Sequence, residues 1–497
     1  MYLLGYDIGS SFIKASLLDA NTGRLVAAAS APAAEMGMIA HQPGWAEQHP
    51  DTWWENAKAV TAYLRQRADL KAVKAIGISY QMHGLVVVDK NYQVLRPSII
   101  WCDSRAVSIG EKAFQALGPE TALSHLLNSP GNFTASKLRW VRENEPDLYE
   151  RIHKIMLPGD YLALRLTGEA VTTASGLSEG ILWDFAEESP ARLLLDHYGI
   201  RPDLLPEIRP TFAPQGGVTE AVARELGLTP GTPVAYRAGD QPNNAFSLNV
   251  LQPGEIAATA GTSGVVYGIT DRKDYDRASR VNTFLHVNHQ PEAARYGILL
   301  CINGTGIQNS WLKHHVAGSL GYDGMNAAAA AVPVGAEGLV TLPFGNGAER
   351  VLENKQLGGS VHGLDFNRHA QAHLFRSAQE GIVFALNYGF DIMNTLGCRA
   401  STVRAGDANM FLSPLFGEAF AATTGATVEL YNTDGAQGAA RAAGLGAGLY
   451  KSTAEAFTGL RTTRVIEPKP ELRDAYQEAY LRWLRVLLAE LGSGFSG

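Results

Sequence analysis

The sequence predicts an α/β protein of two related domains, and three observations carry that expectation. The chain has 497 residues, and at about 150 residues per domain this is too long for one ordinary core. It opens on a strand, a turn of glycine and hydroxyl residues and a second strand, and the same plan recurs over Glu255–Ile269. Between and after these hairpins, apolar residues recur at helical spacing. Two halves that open alike point to an internal structural repeat. Asn249-Val250-Leu251-Gln252-Pro253-Gly254 is turn-rich and sets a seam near 245–252, dividing the chain into domains 1–248 and 249–497. No low-complexity linker lies there, so an extensive interface with a cleft is expected.

Taken in order, Tyr2–Tyr6 is a short apolar strand, Asp7-Ile8-Gly9-Ser10-Ser11 a tight turn and Phe12–Asp19 a second strand. Asn21-Thr22-Gly23 turns the chain into a third strand, Arg24–Ala31. The period becomes helical near Pro50, with Thr52 and Glu55 at capping-box spacing. Ala75–Tyr80, Leu85–Asp89, Ser98–Trp101 and Pro233–Ala238 read as further strands, and 111–200 mostly as helices. In the second half Glu255–Ala260 and Val265–Ile269 flank Gly261-Thr262-Ser263-Gly264. Helical patterns follow at Ile307–Ala317, His369–Leu396 and Ala436–Tyr450, and an amphipathic helix, Pro470–Leu491, comes last.

Composition narrows the function. Lys+Arg 42 against Asp+Glu 49 gives a net charge of -7 with no basic stripe, which argues against nucleic acid as a partner. Three cysteines without a CxxC pair argue against a disulfide framework or a zinc site and for a reducing cytoplasm. The start lacks the basic region of a signal peptide, and no apolar run approaches the length of a membrane span.

The two turns carry the chemistry. Backbone amides in a tight turn hold phosphate oxygens, and a neighbouring carboxylate holds Mg²⁺ through water. Asp7 with Gly9, Ser10 and Ser11 has this make-up, and Gly261, Thr262 and Ser263 repeat it with hydroxyls. Facing each other across a cleft, two such turns would grip a triphosphate. There is no Gly-Lys dipeptide, hence no Walker A loop, and no G-x-G-x-x-G. Gly444-Leu445-Gly446-Ala447-Gly448 reads as close helix packing.

With these segments in register, the chain resembles the FGGY carbohydrate kinases from residue 1 to about 450. Tyr6-Asp7-Ile8-Gly9-Ser10-Ser11 is similar to the family's opening phosphate loop, and Gly44-Trp45-Ala46-Glu47-Gln48 with Trp53-Trp54 to a marker before the first helix. Gln81-Met82-His83-Gly84 resembles the Met-His-Gly sugar triplet of the xylulose-phosphorylating branch, and Trp101-Cys102-Asp103-Ser104-Arg105 the strand end that follows. Phe133–Val141 and Gly359–Ala378 resemble the two family signatures, with Asn132 and Gln379 departing from the usual residue types. Gly239-Asp240 stands where the family has its catalytic aspartate, followed by Gln241 in place of the usual Asn. Arg404–Asn409 replaces a purer glycine run on the adenine side.

The resemblance implies two ribonuclease-H-like domains of the actin-like ATPase architecture and ATP- and Mg²⁺-dependent phosphorylation of a ketose, D-xylulose to D-xylulose 5-phosphate. Asp240 is then the general base and Asp7 the Mg²⁺-side carboxylate. Met82, His83, Gly84, Trp101, Asp103 and Gln241 line the sugar. Trp101 is equally readable as a core residue, and Asp103 with Arg105 as a rim ion pair. Gly9, Ser10, Ser11, Gly261, Thr262, Ser263, Gly304, Gly406 and Asn409 contact the nucleotide, with Gly435 and Gly438 approaching the adenosine by backbone. The expected partners are the ketose and ATP, with a homodimer left open and neither nucleic acid nor membrane. Two alternatives remain: a sister kinase for another pentulose, hexulose or polyol, and a switch-type actin-like ATPase.

Overall fold

A computed structural model describes residues 1–399 and 401–492. They form two compact units. The first comprises Met1–Leu251, Thr283–Tyr296 and Thr433–Leu460, and the second comprises Gln252–Asn282, Gly297–Asn432 and the chain from Arg461 on. This differs from one cut at 248/249, because the segment expected as helix Ala436–Tyr450 returns to the first unit. Helical spacing marks a face to be buried but not the sheet that buries it.

The first unit is built on a five-stranded sheet. Its strands are β1 (Tyr2–Ile8), β2 (Ile13–Asp19), β3 (Leu25–Ala31), β4 (Val73–Tyr80) and β5 (Val234–Gly239), in the order β5-β4-β1-β2-β3. The β1–β2 and β2–β3 pairs are antiparallel, whereas β1, β4 and β5 run parallel. All of β4 except Lys74 is buried, as a parallel strand covered on both faces requires. Trp53, Trp54, Ala57, Val60 and Leu64 of α1 (Pro50–Arg65) pack into one core cluster with Ile76, Ile78 and Tyr80. Ala439, Ala440, Ala442 and Ala443 of the returning helix Gly435–Gly446 pack into another with Leu3, Ala75 and Ala238. Gly444 and Gly446 lie in this helix packing.

Two local expectations change. Helix α1 begins at Pro50 with His49 as an extended cap residue and no side-chain cap bond, so Thr52 and Glu55 form no capping box. Proline at the first turn removes an N–H that would have had no helical partner anyway. The 111–200 region contains, besides its helices, strands Lys154–Met156, Val171–Thr172, Trp183–Asp184 and Ser189–Pro190. Two or three residues are too few to show a period.

The second unit repeats the plan. Strand β6 (Ile256–Ala260) pairs antiparallel with β7 (Gly264–Thr270) and parallel with β9 (Thr402–Gly406), just as β1 pairs with β2 and β4. With β8 (Tyr296–Ile302), β10 (Thr427–Tyr431) and β11 (Thr462–Ile466) the order is β8-β7-β6-β9-β10-β11. The long helix Gln371–Thr395 is buried through its middle, and the terminal helix Pro470–Glu490 locks down through Trp483, whose indole N–H donates to Thr341 O at 3.0 Å.

Candidate functional site

Parallel strands point their carboxyl ends the same way, so β1, β4 and β5 bring Asp7, the Gln81-Met82-His83 turn and Asp240 to one edge of the first unit's sheet. Asp7 is still in β1, with Ser79 of β4 as its register partner, and the Ser79 hydroxyl donates to Asp7 Oδ1 at 2.8 Å. Burial raises the Asp7 carboxyl above the usual carboxylate range, Ser79 and Lys14 pull it back, and Asp434 adds to the rise. Asp434 caps the returning helix by accepting from Gln437 N. The next residue must be small: a β-carbon on Gly435 would lie 2.7 Å from Asp7 Oδ2. Gly438 likewise packs on Ser247. Both glycines thus pack closely within the first unit, on Asp7 and Ser247.

Asp240 is the first residue of α3 (Asp240–Ser247). Gly239 holds the cap position without a side-chain bond, so Asp240 is not spent on capping. Burial, then the charge of Asp7, pushes its carboxyl up to about 7, against hydrogen bonds from Gln241. The amide oxygen of Gln241 is buried without a partner. The base of α3 is fixed by Asn243, whose side-chain amide donates to Gly435 O at 2.9 Å.

His83 adopts a left-handed conformation with φ 61°, a region that disfavours a residue with a β-carbon. Its carbonyl accepts from the fully buried Lys137 Nζ at 2.9 Å, and the same ammonium bonds Ile100 O. Burial lowers the Lys137 pKa to about 8. His83 Nδ1–H donates to Glu179 O at 2.8 Å, and the ring packs edge-on against Phe133. Met82 is buried beside it, and Gly84 passes against Pro158.

Trp101 is 41% exposed, not core, and its indole lies 3.4 Å from Ser10 Oγ above the first turn. Asp103 is buried, and its oxygens accept from Ala46 N at 2.6 Å and from Arg105 Nη2 at 2.7 Å. Arg105 also pairs with Glu47 and stacks 3.7 Å from the Trp45 ring centre. This is a buried brace under the strand end rather than a rim ion pair. Asp103's acceptors are used inside the protein.

In the first turn Gly9 N donates to Phe12 O, and Gln48 Nε2 holds Ser10 O at 2.7 Å. Among the described residues, no backbone carbonyl accepts from the Ser10 or Ser11 amides. In the second unit the Gly261–Ser263 turn closes the β6–β7 hairpin with Thr262 exposed. Helix α4 (Gly306–His315) starts against it: Gly306 N donates to Gly261 O at 2.9 Å and Ile307 N to Thr262 O at 3.2 Å. Asn303 N donates to Glu349, and Gly304 N bonds the same carboxylate, which burial raises to about 7. The Gly304 amide is therefore engaged within the unit. Gly406 ends β9, and Asn409, with φ 56°, places its amide 3.7 Å from a β-carbon position on Gly261.

Glu179, at the end of α2 (Ala174–Glu179), escaped the sequence reading. It is buried beside Gly239, and burial followed by the charge of Asp240 raises its carboxyl well above the carboxylate range. Among the described residues no three His, Cys, Asp or Glu side chains are grouped to hold a metal. Cys102, Cys301 and Cys398 form no disulfide. No described helix is long and apolar enough to cross a membrane.

The chain is similar to known proteins. Residues 2–247 match the N-terminal domain of the FGGY family of carbohydrate kinases. The xylulose kinase of Bacillus subtilis (strain 168) is 28% identical over 493 residues, covering 96% of this chain and 95% of that protein. The xylulose kinase of Escherichia coli (strain K12) is 29% identical over 498 residues, covering 98% and 99%. The crystal structure of xylulose kinase from Rhodospirillum rubrum superposes with a TM-score of 0.86 at 27% identity, covering 98% of this chain and 99% of that one. The domain match, the near full-length relatives and the shared fold lead to one conclusion: this chain belongs to the FGGY family of carbohydrate kinases.

Proposed function

We propose that this kinase transfers the γ-phosphoryl group of ATP to a ketose, D-xylulose to D-xylulose 5-phosphate. The observation that carries the reading is the position of Asp240, at the strand edge shared with Asp7 and His83 and with a pKa of about 7. A sugar hydroxyl is a poor nucleophile at neutral pH, and a base poised near the working pH takes its proton as the bond to phosphorus forms. His83 and Met82 form the sugar wall, with Trp101 at the rim and Gln241 beside the base; Asp103 and Gly84 support that wall from within. Fixing the hydroxyl in line is worth as much as the base, because a loose phosphoryl transition state is stabilised mostly by position and charge.

The nucleotide phosphates rest on the Gly261, Thr262 and Ser263 turn of the second unit, with Gly406 and Asn409 on the base side, and the first unit carries a turn of the same make-up in Gly9–Ser11. Asp7 fits a hard cation: its oxygens are carboxylate donors, and Asp434 and Asp240 add negative charge near it. Asp7, with the Ser79 hydroxyl donating to it, would hold Mg²⁺ beside the nucleotide phosphates. Bound there, it supplies charge neutralisation for the phosphates. We place the protein in the cytoplasm. The test is ADP release across a panel of ketoses and polyols, for the parent and for Asp240→Asn. D-xylulose should give the highest kcat/KM, and Asp240→Asn should lower kcat by at least about 10²-fold. Turnover near the parent rate in that variant would remove Asp240 from the mechanism.

A further inference from the structure

The Glu179 side chain is 2% exposed, and neither carboxyl oxygen has a hydrogen-bond partner among the described residues. Its surroundings do not explain this. A β-carbon built on Gly239 would lie 2.3 Å from Glu179 Oε2 and 2.6 Å from Met82 Cγ, so the carboxyl occupies the space between the residue preceding Asp240 and the sugar wall. The Tyr80 hydroxyl stands nearby and pulls the Glu179 pKa down, yet it too lacks a partner at hydrogen-bonding distance and angle. The backbone of the same residue holds the His83 ring through the 2.8 Å bond to Nδ1. Native proteins rarely leave a buried polar group unmatched, because burying it costs free energy that only a partner returns.

We infer that Glu179 is a specificity-determining residue of the sugar site, whose carboxyl exchanges hydrogen bonds with a substrate hydroxyl other than the one Asp240 activates. The inference rests on the reading of Asp240 as the base. The ligand class is a polyhydroxylated carbon chain, since a hydroxyl both donates and accepts. Burial and the charge of Asp240 raise the carboxyl well above the carboxylate range, which favours its protonated form, and in that form Glu179 has one donor and good acceptors to offer. Met82 flanks the carboxyl in the ligand-free chain. As an unbranched side chain with three rotatable bonds, it can swing aside when the hydroxyl arrives.

The experiment uses the full chain with Glu179→Gln and Glu179→Leu, measuring D-xylulose affinity by calorimetry, KM for both substrates and the ligand-free melting temperature. Leu should raise the ketose Kd and KM by about tenfold or more, leave the nucleotide KM unchanged, and hold or raise the melting temperature by removing an unmatched polar group. Gln, which still donates and accepts, should retain most of the affinity. Among singly deoxygenated xyluloses, one should bind the parent and Glu179→Leu equally well. A parent-like ketose KM in Glu179→Leu overturns the inference. So does a drop in melting temperature with the ketose and nucleotide KM rising together, which would make Glu179 structural. Asp240→Asn, run alongside, separates the two readings. Its activity must be lost for the base assignment to stand, whatever Glu179→Leu does.

Discussion

Gly435 and Asp7 are in contact across 428 residues of sequence: a methyl group at 435 would lie 2.7 Å from the carboxylate Oδ2. The first turn of the returning helix thus fixes where the Asp7 carboxylate can sit. Gly435→Ala should displace it, costing about 1–3 kcal/mol of stability as overpacking does. The same displacement should lower kcat. A melting curve and initial rates test both effects, and parent-like values in both would show that Asp7 has room to spare.

Asp240 sets the pH dependence. It acts as a base only when ionised and its carboxyl lies near 7, so kcat/KM should rise with pH through that value and level off above it. Stability runs the other way. With a raised native pKa the folded chain binds the proton more tightly than the unfolded chain, so stability contributed at this position is lost as pH rises from about 4 to 7. Asp240→Asn should therefore melt higher than the parent at pH 8, with the gain shrinking toward pH 4.

His83 combines a left-handed backbone with a ring held by Glu179 and Phe133. His83→Ala and His83→Gly both remove the ring, and both should raise the ketose KM to the same extent. Only Gly adopts φ 61° without strain, so it should be the more stable variant by about 1–2 kcal/mol. Equal melting temperatures would mean that the backbone relaxes once the ring is gone.

Thr262 is exposed at the tip of the β6–β7 hairpin, and its own carbonyl is tied to Ile307 N. Thr262→Val keeps the shape and this tie but deletes the hydroxyl. Nucleotide affinity should fall by about 1.5–3 kcal/mol, the range for a hydrogen bond to a charged group, while ketose affinity holds. Unchanged calorimetry with ATP would place the hydroxyl outside the nucleotide site.

The parts of the fold legible in sequence were those with a local signal. Both hairpins announce themselves by alternation and by Gly-Ser or Gly-Thr turns, and the structure places both where expected. Asp7 and Asp240 were legible because each stands at the junction of an apolar strand with small or polar residues. Glu179 was not: Ser178-Glu179-Gly180 has no period or motif, and its meaning comes from Gly239, sixty residues on, passing beside it. Asp103 was misleading for the opposite reason, since an Asp and an Arg two apart look solvated until Trp45, Glu47 and Ala46 fold over them. Strands β8, β9, β10 and β11 went unread because, unlike β6 and β7, none is joined to a sheet neighbour by a short turn.

The returning helix has a consequence for how the protein is made. Leu3, Ala75 and Ala238 are synthesised early, yet the alanines that cover them, 439–443, leave the ribosome roughly 200 residues after the last strand of their sheet. At translation speeds of about 5–20 residues per second this is a delay on the order of 10–40 s. During it, one apolar face of a nearly finished sheet has no permanent cover. The nascent chain is therefore most exposed to chaperones and to aggregation while the second unit is being translated, and a message truncated between codons 240 and 435 should yield an insoluble product even though every strand of the first sheet is present.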